Sequence, residues 1–123
     1  RSWPAMHELA ICQALINRIH TLSQPYEGAR LERIVLQVGP LSGVEPSLIQ
    51  HAFPLAAAGS FAEGAILDID ISPIQILCKR CGLTATLVSA RMTCPECGAW
   101  QTDLLAGDEL ILQRLEFLPG PSH

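Results

Sequence analysis

The chain has 123 residues, of which 49% are hydrophobic. This length allows one ordinary domain, or one small domain that carries a smaller one, and this composition is enough for an apolar core. Its formal net charge of −4 argues against nucleic-acid binding, because proteins that bind nucleic acids usually present a basic face. The longest apolar runs are too short to span a bilayer, so we expect a soluble protein without a membrane partner.

The first half of the chain has the pattern of a helix, a strand and a second helix. An apolar stripe at steps of three and four residues predicts the first helix over residues 7–22. A run rich in β-branched residues predicts a strand over residues 31–38. The second helix is predicted to begin at Pro46 and to close at Gly59, and Pro54 should kink it or end its first part.

The second half contains two more strands on either side of a cysteine-containing module. Residues 66–72 alternate cleanly, and the face expected to be buried carries Leu67, Ile69 and Ile71. The last strand covers residues 109–118, and the side chains expected to point inward are Ile111, Leu115 and Phe117. These elements predict an α+β fold, with two helices on one face of a three-stranded sheet and an inserted zinc-ribbon-like domain.

The same pattern predicts the domain boundaries. Residues 6–72 and 103–118 should form the α/β domain, residues 73–102 the inserted domain, and residues 119–123 a tail. Residues 1–5 match no periodic pattern and stand just before a methionine. We interpret them as either a cloning remnant or a native extension.

Four of the five cysteines form two C-x-x-C knuckles that are twelve residues apart, Cys78 with Cys81 and Cys94 with Cys97. Such knuckles present four thiolates to one tetrahedral ion, which is typical of a closed structural zinc site. Iron in a zinc-like site and a pair of disulfides are the alternatives. Because four thiolates leave no open position for water or substrate, we expect a scaffold and not a catalytic centre. This cysteine usage indicates a reducing compartment and hence the cytoplasm.

The other candidate side chains carry no catalytic signature. The chain has no nucleophile elbow, phosphate loop or H-E-x-x-H helix, so we expect no enzyme. We interpret Cys12 as a buried thiol on the apolar stripe, and His20 and His51 as surface or satisfied polar residues. Asp68 and Asp70 are interpreted as a solvated strand face.

A second metal candidate is the segment Met6-His7-Glu8. A free α-amine, deprotonated backbone amides and one imidazole together form a planar nitrogen set, which Ni(II) and Cu(II) prefer. The simpler interpretation is polarity in the first helical turn, where the helix dipole favours a glutamate.

Two further functions fit the knuckles. A zinc-ribbon module that binds nucleic acid is disfavoured by the acidic chain. A rubredoxin-like electron carrier suits Cys94-Pro95-x-Cys97-Gly98, but Trp100 is the only aromatic residue near the knuckles.

Taken together, the motifs resemble those of the HypA/HybF hydrogenase nickel-incorporation proteins. The similarity covers residues 6–118, and the segments that carry it are Met6-His7-Glu8-Leu9, Val38-Gly39-Pro40-Leu41-Ser42-Gly43-Val44-Glu45-Pro46, Gly64-Ala65, the two knuckles, and Gly107-Asp108-Glu109-Leu110 before Leu115-Glu116.

The resemblance implies a nickel metallochaperone. Such proteins bind Ni(II) weakly at the N-terminal Met-His-Glu and pass it, with a GTPase partner, to the large subunit of a nickel–iron hydrogenase. In some organisms urease and its accessory proteins also depend on them. By this resemblance His7 is the nickel-binding histidine, Met6 contributes its amine and backbone, and Glu8 contributes backbone nitrogen. The resemblance also implies that the structural zinc ligands are Cys78, Cys81, Cys94 and Cys97.

One departure from the family concerns the N-terminus, because five residues precede Met6. With these residues in place the amine of Met6 is an amide, and we expect a weakened or altered nickel site.

Overall fold

The computed structural model describes residues 3–87 and 91–119, with side chains from residue 8 onward. In chain order the elements are α1 (Trp3–Ser23), a 3-10 turn (Gln24–Tyr26), β1 (Arg30–Val38), α2 (Pro46–Ala57), β2 (Ile66–Ile71), β3 (Ile74–Cys78), β4 (Thr84–Leu87), β5 (Thr102–Ala106) and β6 (Leu110–Leu118). In this part of the chain, neither helix combines the length and the apolar character that a membrane span requires.

The strands form two sheets of three strands each. The first sheet has the order β2-β1-β6, and its strands are the three that the sequence predicts. The second has the order β4-β3-β5, with β3 antiparallel to both neighbours. Its strands lie in and beside the cysteine module and are not among the predicted ones, because four or five residues give too short a pattern to recognise. The predicted α+β class is confirmed.

The chain divides into two compact units. Within the described residues, the first unit takes the chain up to residue 36, residues 45–69, and the chain from residue 112. The second unit takes residues 37–44 and 70–111. The predicted boundaries of an inserted domain at residues 73 and 102 stay a prediction.

The first unit has an apolar core to which both helices and β1 contribute. Helix α1 packs against α2. The buried apolar side chains of these elements include Cys12, Ile16, Ile19, Leu31, Ile34, Val35, Leu36, Ile49, Ala52, Phe53 and Ala57. Helix α1 begins at Trp3, four residues before the predicted start, because the fixed φ of Pro4 suits a first helical turn.

Three local expectations are changed by the structure. Ile71 and Ile111, both predicted to point inward, are 56% and 45% exposed. Each lies near the end of a strand that forms an edge of the first sheet, where little chain is available to cover it. Pro54 lies inside α2 and does not end it, and α2 closes at Ala57, just before the positive φ of Gly59.

A backbone clasp in the second unit joins the segment after β1 to the turn before β6. The amide of Gly39 donates to the carbonyl of Glu109 at 2.8 Å, and that of Leu41 donates to the carbonyl of Gly107 at 2.7 Å. The Glu109 carboxylate accepts from the Gly107 amide at 2.8 Å and from Ser72 Oγ at 3.2 Å. Because the backbone of Gly107 fills the space beside the Cα of Gly39, no side chain fits there.

Candidate metal centres

The four knuckle sulfurs lie together at one end of the second sheet. Their Sγ atoms are all within 4.8 Å of one another, and two pairs, Cys78 with Cys97 and Cys81 with Cys94, are 3.7 Å apart. A tetrahedral ion with bonds of about 2.3 Å to sulfur requires sulfur–sulfur separations of about 3.8 Å. A disulfide would require about 2.05 Å, and all five cysteines are free. The donor set therefore fits one tetrahedral metal ion and excludes the alternative of two disulfides.

The two knuckles repeat the same local backbone design. The amide of Gly82 donates to the carbonyl of Cys78, and that of Gly98 donates to the carbonyl of Cys94, both at 2.9 Å. The two glycines have φ of 78° and 74°, a region that residues with a side chain rarely adopt. Each turn thus folds its chain back after the second cysteine and directs both sulfurs to one point.

Within the cluster Cys78 loses its proton first, whereas neighbouring sulfurs and burial raise the pKa of Cys81 and of Cys97. The amide of Cys81 donates to Cys78 Sγ at 3.4 Å, and this bond is the largest cause that lowers the pKa of Cys78 to about 6. A thiol with a lowered pKa is a thiolate at neutral pH, and thiolates are the species that bind metal. Because four sulfurs complete a tetrahedral shell, the site has no coordination position left for a substrate.

Few apolar side chains support this end of the second unit. A small buried cluster contains Cys78, Cys94 and Ala99, with Leu83 packed against it. Two of its members are themselves metal-ligand candidates. A bound ion would therefore supply much of the cohesion that a larger apolar core supplies elsewhere.

The N-terminal candidate is only partly described. The side chains of Met6 and His7 lie outside the described residues, whereas the backbone of the segment belongs to α1. In a helix that begins at Trp3, the amides of His7 and Glu8 follow the first four and therefore have intrahelical partners. These nitrogens become available to a metal only after the first turns of α1 open.

Glu8 is predicted only as a polar residue of the first helical turn, whereas the structure leaves it 3% exposed. The spacing contains a signal, because Glu8 stands four residues before Cys12 on the apolar stripe. Burial and the nearby Glu8 carboxylate raise the pKa of Cys12 to about 11, and its Sγ contacts the carbonyl of Ile49 at 3.7 Å. The interpretation of Cys12 as a buried thiol is confirmed.

The remaining candidates make ordinary structural contacts. The exposed His20 ring lies 5.3 Å from the ring of Phe61, and His51 Nδ1 contacts the carbonyl of Ser47 at 2.8 Å. Asp68 forms an ion pair with Arg33. Over residues whose side chains are described, the four-cysteine cluster is the only group of three or more His, Cys, Asp or Glu with ligand atoms close enough to hold an ion.

Comparison with known proteins shows the family. The model of the family described as hydrogenase/urease nickel incorporation, metallochaperone, hypA matches residues 6–117. A hydrogenase maturation factor HypA from Nitrosospira multiformis is 36% identical over 113 residues, covering 92% of this chain and 98% of that protein. The HypA of Aquifex aeolicus is 34% identical over 111 residues, covering 90% and 96%.

Structural comparison agrees with these sequence matches. The solution structure of the Ni metallochaperone HypA from Helicobacter pylori has a TM-score of 0.65 and 25% identity, over 91% of this chain and 97% of that one. The resemblance that the motifs predict is confirmed over nearly the whole chain. With its two helices, two sheets and four-sulfur cluster, the chain belongs to the HypA family of hydrogenase maturation factors.

Proposed function

We propose that this protein is a nickel metallochaperone that binds Ni(II) at Met6-His7-Glu8 and delivers it, with a GTPase partner, to the large subunit of a nickel–iron hydrogenase. Where a cell has urease, its accessory proteins are a second destination. The observation that carries the proposal is the family match, which begins at Met6 and extends to residue 117.

The two metal sites have different roles, one structural and one for the transferred ion. Zinc at Cys78, Cys81, Cys94 and Cys97 has a structural role, because a full tetrahedral shell of sulfur exchanges its ion reluctantly. Nickel is cargo and requires a site that opens and closes. The protein is not an enzyme, and its function is metal transfer through protein contacts in the cytoplasm.

The position of the nickel motif at the start of a helix supports release of the cargo. Helix ends fray at little cost, and opening the first turns of α1 frees the amides of His7 and Glu8. The buried Glu8 marks the point where α1 becomes part of the core, so that fraying stops there. Metal bound through deprotonated nitrogen is lost on mild acidification, because each ligand atom takes up a proton.

The deciding experiment is a Ni(II) titration of zinc-loaded protein, followed by the optical absorption of planar nickel. Three chains are compared: the full chain, a variant that begins at Met6, and that shorter variant with His7→Ala. We expect planar nickel in the shorter variant, a weakened site in the full chain, and none after His7→Ala. His20→Ala in the shorter variant is the matched control and should bind nickel normally.

The result that would overturn the nickel site is absorption that survives His7→Ala, or its absence from all three chains. Transfer is tested separately by incubating the nickel-loaded shorter variant with the purified GTPase and the apo large subunit. Nickel should appear in the large subunit faster than from free Ni(II) under a competing chelator. Equal rates of nickel transfer from the protein and from free Ni(II) would show that the protein binds nickel but does not deliver it.

A further inference from the structure

A cavity of about 240 Å³ lies in the first unit, beside the end of α1. Its lining comes from the end of α1 and the turn after it, from the loop after α2, and from the end of β6. Pockets for drug-sized ligands measure roughly 300–1,000 Å³, so this cavity suits a smaller molecule. Its lining residue His20 lies about 20 Å along α1 from His7, which separates the cavity from the proposed nickel site.

Four rings stand in the wall of the cavity as two pairs. The rings of His20 and Phe61 are tilted by 56° with centroids 5.3 Å apart, and those of Tyr26 and Phe117 stack with centroids 5.0 Å apart. Phe61 is 40% exposed and Tyr26 is 56% exposed, so both pairs can be reached from solvent. Open aromatic faces favour contact with another planar ring.

A rigid turn places an acidic and a basic residue beside these rings. The Ala29 amide donates to the Tyr26 carbonyl at 3.0 Å and closes a type II turn. Glu27 has φ −55° and ψ 134°, and Gly28 has φ 92°, as the two central positions of this turn require. Glu27 and Arg30 both line the cavity, and neither forms an ion pair with any residue whose side chain is described.

The cavity wall also contains a hydroxyl group that lacks a partner. Ser23 belongs to the lining, and its Oγ is buried without a hydrogen bond to any described residue. Rotation of this side chain toward the cavity would therefore break no hydrogen bond. Because buried polar groups are nearly always paired in folded proteins, an unpaired one indicates a place for a further polar group.

We propose that this cavity binds a free aromatic α-amino acid. The ring of the ligand packs against the two aromatic pairs, its ammonium group faces Glu27, and its carboxylate faces Arg30 and the hydroxyl of Ser23. A ligand with only a positive charge would be repelled by Arg30, and one with only a negative charge by Glu27. A zwitterion matches both residues, whereas the terminal residue of a peptide retains only one of the two charges.

The test is isothermal titration calorimetry of the zinc-loaded full chain with L-phenylalanine as the probe. We expect saturable binding with a Kd of about 1 mM or below. L-Alanine, which lacks the ring, should bind the wild type at least about tenfold more weakly, and Phe61→Ala should weaken the binding of L-phenylalanine to a similar extent. Arg18→Gln, which removes an exposed charge of α1 outside the cavity, is the matched control and should bind L-phenylalanine normally.

Two ligand analogues test the assignment of each charge. Phenethylamine lacks the carboxylate and 3-phenylpropanoate lacks the ammonium group, and each should bind the wild type at least about fivefold more weakly than L-phenylalanine. In Arg30→Gln, phenethylamine should bind about as well as L-phenylalanine, because the partner of the carboxylate is gone. In Glu27→Gln, the same should hold for 3-phenylpropanoate.

Backbone amide chemical shifts provide a second readout. Saturating L-phenylalanine should shift the amide resonances of Glu27, Gly28 and Phe61, while those of the two knuckles should not change. The absence of saturable binding, equal binding of L-alanine, full affinity for either analogue, or shifts confined to the second unit would each overturn the proposed site. Full affinity for N-acetylphenylalanine or for phenylalanine amide would also overturn it, since the occupant would then be a chain terminus.

Discussion

The two units of this protein differ in what holds them together. The first unit buries apolar side chains from two helices and from β1, with Ile19, Ile34 and Ile49 fully buried. At its metal end the second unit has only a small cluster that includes two metal-ligand cysteines, and its other end is held by a clasp of backbone hydrogen bonds. This difference suits the proposed roles of the two units. The first unit must stay folded while the start of α1 opens to bind or release nickel, and the second unit keeps its conformation through a structural metal ion.

The largest effect should follow from breaking the sulfur cluster. Cys94→Ser removes one of four thiolates, and we expect the protein to lose zinc and the amide protection of β3, β4 and β5, because structural zinc contributes roughly 10 kcal/mol or more to folding of small metal sites. The helical circular-dichroism signal of the first unit should remain. Metal analysis and hydrogen exchange measure the two effects.

The control for this substitution is Cys12→Ala, which removes the fifth cysteine from the helical core. It should leave the zinc content at one ion per chain. Collapse of both units after Cys94→Ser would show that they fold as one, and retention of zinc would show that three sulfurs suffice.

The next effect concerns the apolar core of the first unit. Ile34→Ala leaves a cavity at a fully buried position of β1, and we expect a loss of about 2–5 kcal/mol in the free energy of unfolding. Zinc content should not change. Urea denaturation followed by helical signal measures the loss. Ile66→Ala, at a position that is 45% exposed, is the control and should cost far less. Equal losses at both positions would contradict the assigned core.

A smaller loss of stability is predicted for a substitution in the backbone clasp of the second unit. Gly39→Ala places a methyl group against the backbone of Gly107, and relieving this overlap should cost about 1–3 kcal/mol of stability. Thermal unfolding of the zinc-loaded protein measures the cost, and the amides of Gly39 and Leu41 should exchange faster. Pro40→Ala, at the exposed neighbouring position, should change stability by no more than about 0.5 kcal/mol. An unaltered melting curve after Gly39→Ala would mean that the close approach is absent in solution.

The smallest predicted effect is a difference in thiol reactivity between the cysteines of the two units. After zinc is chelated at neutral pH, the metal end of the second unit should open and its four cysteines should react with iodoacetamide. Cys12 should not react, because it is fully buried in the first unit, whose apolar core needs no metal. Burial also raises the pKa of Cys12 to about 11. The raised pKa means that the neutral thiol is favoured in the folded state. Its contribution to stability is therefore complete below about pH 9 and is lost as pH rises toward 11. Mass spectrometry counts the modified thiols, and Cys12→Ala should flatten the alkaline loss of stability. Modification of Cys12 at the same rate as the other four would refute its burial.

The metal cluster and the elements of the first sheet were predictable because their signals are local. The spacing of the four knuckle cysteines is typical of one tetrahedral metal site. The apolar stripe of α1 repeats with the helical period. The exposure of Ile71 and Ile111 was not predictable, because alternation identifies a strand but not whether the strand lies at an edge. The short strands β3, β4 and β5 are held by pairing partners and by the cysteine turns, which local propensity does not reveal.

The sequence by itself determined the family, the α+β class and the four sulfurs that form one cluster, since each rests on residue types at fixed spacings. Only the tertiary structure decided that Glu8 is buried, that the backbone of Gly107 excludes a side chain at Gly39, and that β6 forms an edge of the first sheet. The physical reason is that burial, close backbone approach and strand order depend on residues far apart in the chain, which meet only when it folds.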